Sequence, residues 1–441
     1  MSNTSGPRAG ARSLTIALIN NLYPPYIVGG NEILARDVVQ GLRARGHTVH
    51  VLTGRGRMLP NDGFTHPALD LDLDQKEGLF MGGLPLTLRR LVQWHLYNRR
   101  THRQVQRTLE LLQPDLVIAW NLYMASAAPL IAARGGPWPV IAHPADKWLL
   151  YSLNDIRKLV PATTRLTKLA LNFIHRCVQP ILRRRARPDY ILAVSEFIRA
   201  LHTQAGYAPR QSVATFLGIH AQTFAAAPHA HHGDRTWRLL YAGQLWWGKG
   251  PQVAIEAIRL LRERSELPRV KLDIYGGGAE QFKGYLQGLI NEKGLAECVR
   301  LCGFAPQADL AAAMRSHDAY LFTSIWDEPF SGGLLEAMAT GLPTIATTAG
   351  GTPEAVRHEQ NGLLVPPDNP QALAEAIVRL ITEPELYARL GPCAAEDVRL
   401  RWPFDAFLDR LESAYGAIVA GHSADSPVDL TLLPGVRVKT A

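Results

Sequence analysis

Apolar residues come along this chain in short blocks, each followed by a stretch in which they recur every third or fourth position. Leu14 to Ile19, Thr48 to Thr53, Leu116 to Trp120, Pro139 to Ala142 and Tyr190 to Val194 are such blocks, and Glu32 to Arg45 carries the longer period. Short apolar runs bounded by turn residues read as strands buried on both faces, and the longer period reads as amphipathic helix. Their alternation predicts a parallel sheet covered by helices.

The rhythm breaks at residues 225–233, AAAPHAHHG, a polar stretch punctuated by Pro and Gly that reads as a linker. It restarts with blocks at Arg238 to Ala242, Val270 to Tyr275, Val299 to Cys302, Ala319 to Thr323, Pro343 to Ala346 and Gly362 to Val365. The expected architecture is α/β: two Rossmann-like domains, 1–220 and 236–400, facing each other across a deep cleft, with ligand at the carboxyl ends of the strands. A helix over 401–421 is expected to return toward the first domain, and 422–441 reads as a disordered tail.

Composition agrees with this picture. At 441 residues the chain exceeds what one core usually serves, and 47% apolar with 20% charged residues is the balance of a globular protein. No apolar run is long enough to span a bilayer, and the block after Arg8 and Arg12 is too short for a secretory signal, so a cytoplasmic protein is expected. Cys177, Cys298, Cys302 and Cys393 read as reduced structural thiols. His229, His231 and His232 lack acidic neighbours and read as incidental to the linker.

Charge is placed unevenly. Residues 1–220 carry 27 Lys and Arg against 13 Asp and Glu, whereas the remainder carries 20 against 26. The basic half implies an anionic partner.

Candidate chemistry concentrates in the second half. Residues 327–343 read DEPFSGGLLEAMATGLP: Pro329 biases Glu328 toward extended backbone, Ser331-Gly332-Gly333 makes a turn, and a short helix runs to a Gly341/Pro343 stop. The first turn of a helix leaves N–H groups without partners, and glycines there let phosphate approach the backbone. Glu336, one turn inside, is placed to accept two hydrogen bonds from a vicinal diol such as a ribose. Lys249, in YAGQLWWGKG between a strand and a helix, suits a diphosphate. Each segment alone is equally open to plainer readings: a solvated glutamate, a serine N-cap, a surface lysine.

Together, the AGQLWWGKG loop, YGGG, VRLCGF, EPFSGGLLEAMATGLP and TTAGGTPEAVRHEQNGLLVPP resemble the retaining family 4 glycosyltransferases of GT-B fold, as do PPYIVGGNEILARDVVQGLRARGHTVHVLT and AVSEFIR in the first half. The resemblance implies a retaining, metal-independent enzyme that moves a sugar from a nucleotide-diphosphate donor to an acceptor hydroxyl, in glycan or glycolipid synthesis. It assigns Glu336 to the ribose, Glu328 to donor-sugar hydroxyls, and Lys249, Gln244, Ser331, Gly332 and Gly333 to the diphosphate, with Gly29 and Gly30 facing it from the first domain. Glu328, Lys249 and Asp146 are the catalytic candidates. The nucleotide sugar is a co-substrate, and no cofactor is implied.

Two positions depart from the family pattern. Gln244 stands where an arginine is usual, and in the first domain's His-Asp pair the aspartate is Asp146 but the histidine position is Ala145, which leaves His143 as a nearby alternative. The D-x-D at Asp70-Leu71-Asp72-Leu73-Asp74 reads as a solvated acidic loop and not a metal site. A sugar-nucleotide epimerase or hydrolase, and a non-catalytic relative, are the alternatives. Nucleic acid is not an expected partner, since no stacking motif or known module is present.

A third kind of partner is implied by residues 165–182. Leu166, Leu169, Phe173, Ile174, Cys177, Val178 and Ile181 make an amphipathic pattern, kinked or ended near Pro180 and running into Arg183, Arg184, Arg185 and Arg187. A second arginine-rich helix is expected around Arg89, Arg90, Arg99, Arg100, Arg103 and Arg107. These point to peripheral contact with an anionic membrane at its inner face and a lipid-linked or glycan acceptor.

Overall fold

The computed structural model describes residues 12–74, 96–153, 165–207, 209–226, 236–264, 269–424 and 428–432. Arg89, Arg90, His229, His231, His232 and most of the expected tail lie outside them.

The chain divides into two compact units, Met1–Thr215 with Leu408–Ala441, and Phe216–Phe407. The first unit holds a parallel sheet of seven strands: β1 (Thr15–Asn20), β2 (Thr48–Arg55), β3 (Thr65–Asp72), β4 (Leu116–Asn121), β5 (Val140–Ala142), β6 (Tyr190–Ala193) and β7 (Gln211–Ala214), in the order β3-β2-β1-β4-β5-β6-β7. The second holds six: β8 (Trp237–Ala242), β9 (Val270–Tyr275), β10 (Val299–Gly303), β11 (Ala319–Phe322), β12 (Thr344–Thr347) and β13 (Leu363–Val365), ordered β10-β9-β8-β11-β12-β13. In each, the order reverses beside the first strand, between β1 and β4 and between β8 and β11. That reversal opens a crevice at the carboxyl ends of the two strands.

Central strands are largely apolar, as expected where helices cover both faces. Every residue of β4, β11 and β12 is buried. In the second unit Leu239, Ile274, Leu321 and Ile345 of the sheet share a core with Ile255 and Ile258 of the helix Pro251–Arg262. Each such side chain contributes about 1.5–3 kcal/mol by leaving water.

Several details differ from the sequence reading. The Asp70–Asp74 segment is not a loop: β3 runs to Asp72, with Leu69 and Leu71 buried between less buried aspartates. Asp70 lies 3.0 Å from Arg55 and 3.5 Å from Arg100. The units part at 215/216 and 407/408, not at 220 and 400. Ile219 already belongs to the second unit, its N–H donating to Trp402 O at 3.0 Å. The last long helix spans Phe404–Ser423, and from Leu408 onward it belongs to the first unit. Gly41 makes room for it there, since a Cβ at Gly41 would sit 2.4 Å from Leu408 Cδ1. Arg45 pairs with Asp409 at 2.7 Å and Glu412 at 2.9 Å. Within the expected tail, Leu430 is buried and its N–H donates to Gln211 Oε1 at 2.8 Å.

Candidate functional site

The loops that leave β8 and β11 flank the crevice of the second unit. After β8 the chain passes Gly243 and the exposed Gln244, then a 3-10 turn, Trp247–Lys249, and enters the helix Pro251–Arg262 through Gly250. Gly250 has φ +70°, and a Cβ there would lie 2.0 Å from Thr323 O, so the position requires glycine. The carbonyl of Gly248 accepts from the N–H groups of Ile325 and Trp326, both at 2.8 Å, and from Ser324 Oγ at 3.2 Å. The turn carrying Lys249 is therefore pinned to the loop that follows β11.

That second loop carries Glu328. Its side chain is buried, with the residue 3% exposed, and both carboxylate oxygens accept from Lys249 Nζ, at 2.7 and 3.0 Å. Its backbone is held from the other side: Gly351 N–H donates to Glu328 O at 2.7 Å, and Gly350, at φ +60°, would with any Cβ approach Glu328 O to 2.3 Å. The two glycines of TTAGGTPEA thus fix a glutamate more than twenty positions away.

Ser331 caps the helix Gly332–Ala339, its Oγ accepting from Leu334 N–H at 3.4 Å. A Cβ built on Gly332 would meet nothing within 4 Å, so the helix begins against open space. The first-turn N–H groups at that start have no acceptor within the helix. Glu336, half-buried on the next turn, accepts from Gln307 Nε2 at 3.1 Å. Burial pushes its carboxyl up to about 7, against the opposing pull of the Gln307 bond. Buried Tyr320 on β11, whose hydroxyl donates to Ala242 O at 2.9 Å, feels both Glu336 and Glu328, and it is pushed up by burial and then by these two charges. Gln244, Lys249, Glu328, Ser331, Gly332, Gly333 and Glu336 all belong to the second unit.

The candidates of the first unit gather around the carboxyl ends of β1, β4 and β5. Gly29, in extended backbone, is the N-cap of the helix Gly30–Ala44, and neither Gly29 nor Gly30 has a neighbour within 4 Å of a built Cβ. Here a buried carboxylate of the same chain stands at the helix start: Glu32 Oε2 accepts from the N-cap Gly29 N–H at 2.8 Å and from Val28 N–H at 3.1 Å. Burial raises the Glu32 carboxyl and these two bonds oppose the rise. Asp146 accepts from Trp148 N–H at 2.6 Å and from Asn121 Nδ2 at 3.5 Å. Burial raises it to about 6, with Glu32 adding to the shift. His143 is fully buried, its ring stacked on Trp120 at 4.3 Å, and burial lowers it to about 3, so the ring is neutral.

Gln307, Tyr320, Gly350, Gly351, Glu32 and Asn121 were not among the sequence candidates. Gln307 had one signal, a polar residue opening a helix just past a strand of the same unit.

Residues 227–397 match the family model described as glycosyl transferases group 1, and residues 28–222 match that of Glycosyltransferase Family 4. The chain carries two glycosyltransferase domains. Among solved structures, this chain is similar to sucrose-phosphate synthase from Thermosynechococcus elongatus, with TM-score 0.69 and 20% identity over 93% of this chain and 100% of the other. It is also similar to Anabaena HepE in complex with UDP, with TM-score 0.63 and 20% identity over 91% and 99%. Both show the fold, which is GT-B. A curated relative, the D-inositol 3-phosphate glycosyltransferase of Corynebacterium glutamicum, is 32% identical over 187 residues, 42% of this chain and 44% of that protein. The chain thus matches less than half the length of that relative.

Proposed function

We propose that this chain is a retaining glycosyltransferase that takes a sugar from a nucleotide-diphosphate donor and places it on an acceptor hydroxyl of a glycan or lipid-linked sugar. The observation that carries the reading is the pair Lys249–Glu328 beside a helix that begins in open space at Gly332. This combination supports binding of a dianion whose charge grows as a bond to it breaks.

In this reading the ammonium of Lys249 and the N–H groups at Gly332 and Gly333 bind the diphosphate, and they hold the leaving diphosphate more strongly as the glycosidic bond lengthens. The neutral amide of Gln244 adds a donor without adding charge. Glu336 accepts from the ribose hydroxyls, and Glu328, held in place by Lys249, accepts from hydroxyls of the transferred sugar. Gly29 and Gly30 contribute close backbone approach and no charge, since Glu32 uses the adjacent donors. Retention follows if the acceptor attacks the face that the diphosphate leaves, with a donor phosphate oxygen taking the acceptor's proton. Asp146 is assigned to the acceptor side. Lys249 and the helix start offset the diphosphate charge that a divalent metal would otherwise neutralise, so activity is expected to survive chelation.

The test is a panel of nucleotide sugars screened by thermal shift, followed by transfer assays with and without EDTA and proton NMR of the product anomer. Retained configuration at undiminished rate in EDTA supports the reading. Donor consumption without acceptor would make the chain a hydrolase or epimerase, and donor binding without any turnover would make it a non-catalytic relative.

A further inference from the structure

Between β5 and β6 the chain makes a helical excursion built from Arg165–Phe173, a π-helical turn Ile174–Val178, and Gln179–Arg185. The sequence pattern pointed to a kink or stop at Pro180, but the helix continues. After the wider π turn, Pro180 falls in the first turn of the next segment, where no N–H is required of it.

This excursion has two apolar faces. One packs inward, with buried Leu171 and partly buried Ile174 and Leu182 clustered around Leu96. The other is a ridge at four-residue spacing that faces solvent: Leu169 is 67% exposed, Phe173 62% and Ile181 59%, with exposed Cys177 between them. Four-residue steps drift by about 40° around an α-helix. The wider π turn counters that drift and keeps the ridge on one side. A row of exposed large side chains on one helix face is unlike the scattered apolar residues of an ordinary surface.

The flanks of the ridge are basic. Lys168, Arg176, Arg184 and Arg185 are all exposed, and no Asp or Glu occurs from Arg165 to Pro188. The next acid, Asp189, is already engaged by Arg134. An apolar ridge bordered by long cationic side chains matches a surface that is apolar just beneath a layer of negative charge. Arginine and lysine stems lie along the apolar boundary while their heads reach anionic groups.

We propose that this ridge is a membrane-docking surface: Leu169, Phe173, Cys177 and Ile181 enter the headgroup boundary of an anionic bilayer, and Lys168, Arg176, Arg184 and Arg185 engage its lipid phosphates. The proposal does not depend on the donor site of the second unit. It would place the first unit's acceptor side next to substrates carried by lipid.

The experiment is co-sedimentation of the full chain with vesicles of phosphatidylcholine alone or with about 30 mol% phosphatidylglycerol, at about 50 mM and about 500 mM salt. Binding is expected to require the anionic lipid and to fall at least tenfold at high salt. Each basic residue at an anionic surface adds about fivefold to partitioning, so Arg184→Gln with Arg185→Gln is expected to weaken binding by more than tenfold. Phe173→Ser with Ile181→Ser is expected to weaken it as much, and these solvent-exposed changes should leave the thermal unfolding midpoint in place. A fluorophore sensitive to polarity on Cys177, in a Cys393→Ser background, should shift to the blue on anionic vesicles, while one on Cys393 in a Cys177→Ser background should not. Equal binding to both vesicle types, or loss with the arginine variant but not with the Phe173/Ile181 variant, would overturn the proposal; the second result would identify a purely electrostatic surface of the kind that binds nucleic acid. Self-association in sedimentation velocity that the Phe173/Ile181 variant abolishes, without vesicle binding, would instead assign the ridge to a second copy.

Discussion

The two units place the same kind of crevice at the same point in the same strand order, yet they fill it with opposite chemistry. Between β8 and β11 lie a lysine, a buried glutamate bound to it, and a helix that starts in open space. Between β1 and β4 lies a helix start at which the chain's own Glu32 accepts from the N–H groups of Val28 and Gly29, near a second carboxyl, Asp146. A glycine-opened helix start is therefore not enough to define an anion site. What differs between the two starts is whether a carboxylate of the same chain already accepts at the N-cap. The second unit adds a cation beside its helix start, whereas the first places acids there whose proton affinities burial has raised. In the proposed reading, this contrast gives the diphosphate to the second unit and leaves the first for hydroxyl chemistry.

The largest effect that would break this contrast is expected at Lys249. Lys249→Ala should lower turnover by about 100-fold or more, as for loss of a charge-stabilising donor. It should also cost about 3 kcal/mol of stability, because Glu328 is left buried without its cation. Lys249→Met combined with Glu328→Gln should recover much of the stability but none of the turnover, which separates the two roles in one pair of denaturation and rate measurements.

Glu336→Ala is expected to weaken donor binding by about 2 kcal/mol, through loss of charged hydrogen bonds to the diol. Calorimetric titration with the donor checks this, and an unchanged affinity would remove Glu336 from the site. The same residue makes a pH prediction. Its carboxyl is raised from 4.5 to about 7 in the folded chain, so the folded state keeps a proton that the unfolded state has lost across that window. The raised affinity favours folding below about 4.5, and that advantage is lost as pH rises through about 7. Glu336→Gln should therefore gain on the parent chain as pH goes from 5 to 8, by on the order of 2 kcal/mol. Thermal unfolding of both proteins across that range gives the answer, and parallel curves would mean that the carboxyl is not raised.

A smaller effect is expected at Gln307. Gln307→Ala removes a bond to the ionised form of Glu336 and should cost donor affinity about 1 kcal/mol. It should also move the pH midpoint of donor binding upward, because the removed bond favoured the carboxylate. A purely structural role for Gln307 would leave that midpoint in place.

Asp146→Asn is expected to leave nucleoside-diphosphate affinity unchanged while lowering turnover about tenfold. Loss of diphosphate affinity in this variant would dissolve the difference between the units.

How much of this was legible in the sequence follows from the range of the interactions. All six strands of the second sheet were readable, since each is a short, largely apolar run and all but β11 are bordered by glycine or proline. In the first sheet β3 and β7 were not. The alternation of Leu69, Leu71 and Leu73 with three aspartates is a strand pattern, but the charges drew the reading toward a loop. β7 is only four residues long and begins Gln211-Ser212, too polar to register. Lys249, Glu328 and Glu336 were identifiable by type and by their position after strands. That Lys249 and Glu328 hold each other across 79 positions was not, because it depends on the adjacency of β8 and β11. The burial of His143 against Trp120 was not legible for a related reason: it depends on how the strands pack.

The central claim is that the second unit alone anchors the diphosphate. Hydrogen exchange read by mass spectrometry, with UDP, GDP and ADP added in turn to the full chain, tests it most directly. For whichever nucleotide binds, slowed exchange is expected across 244–250 and 331–336, with the segment 143–148 unchanged. Protection confined to 27–31 and 143–148, with none at 331–336, would contradict the account.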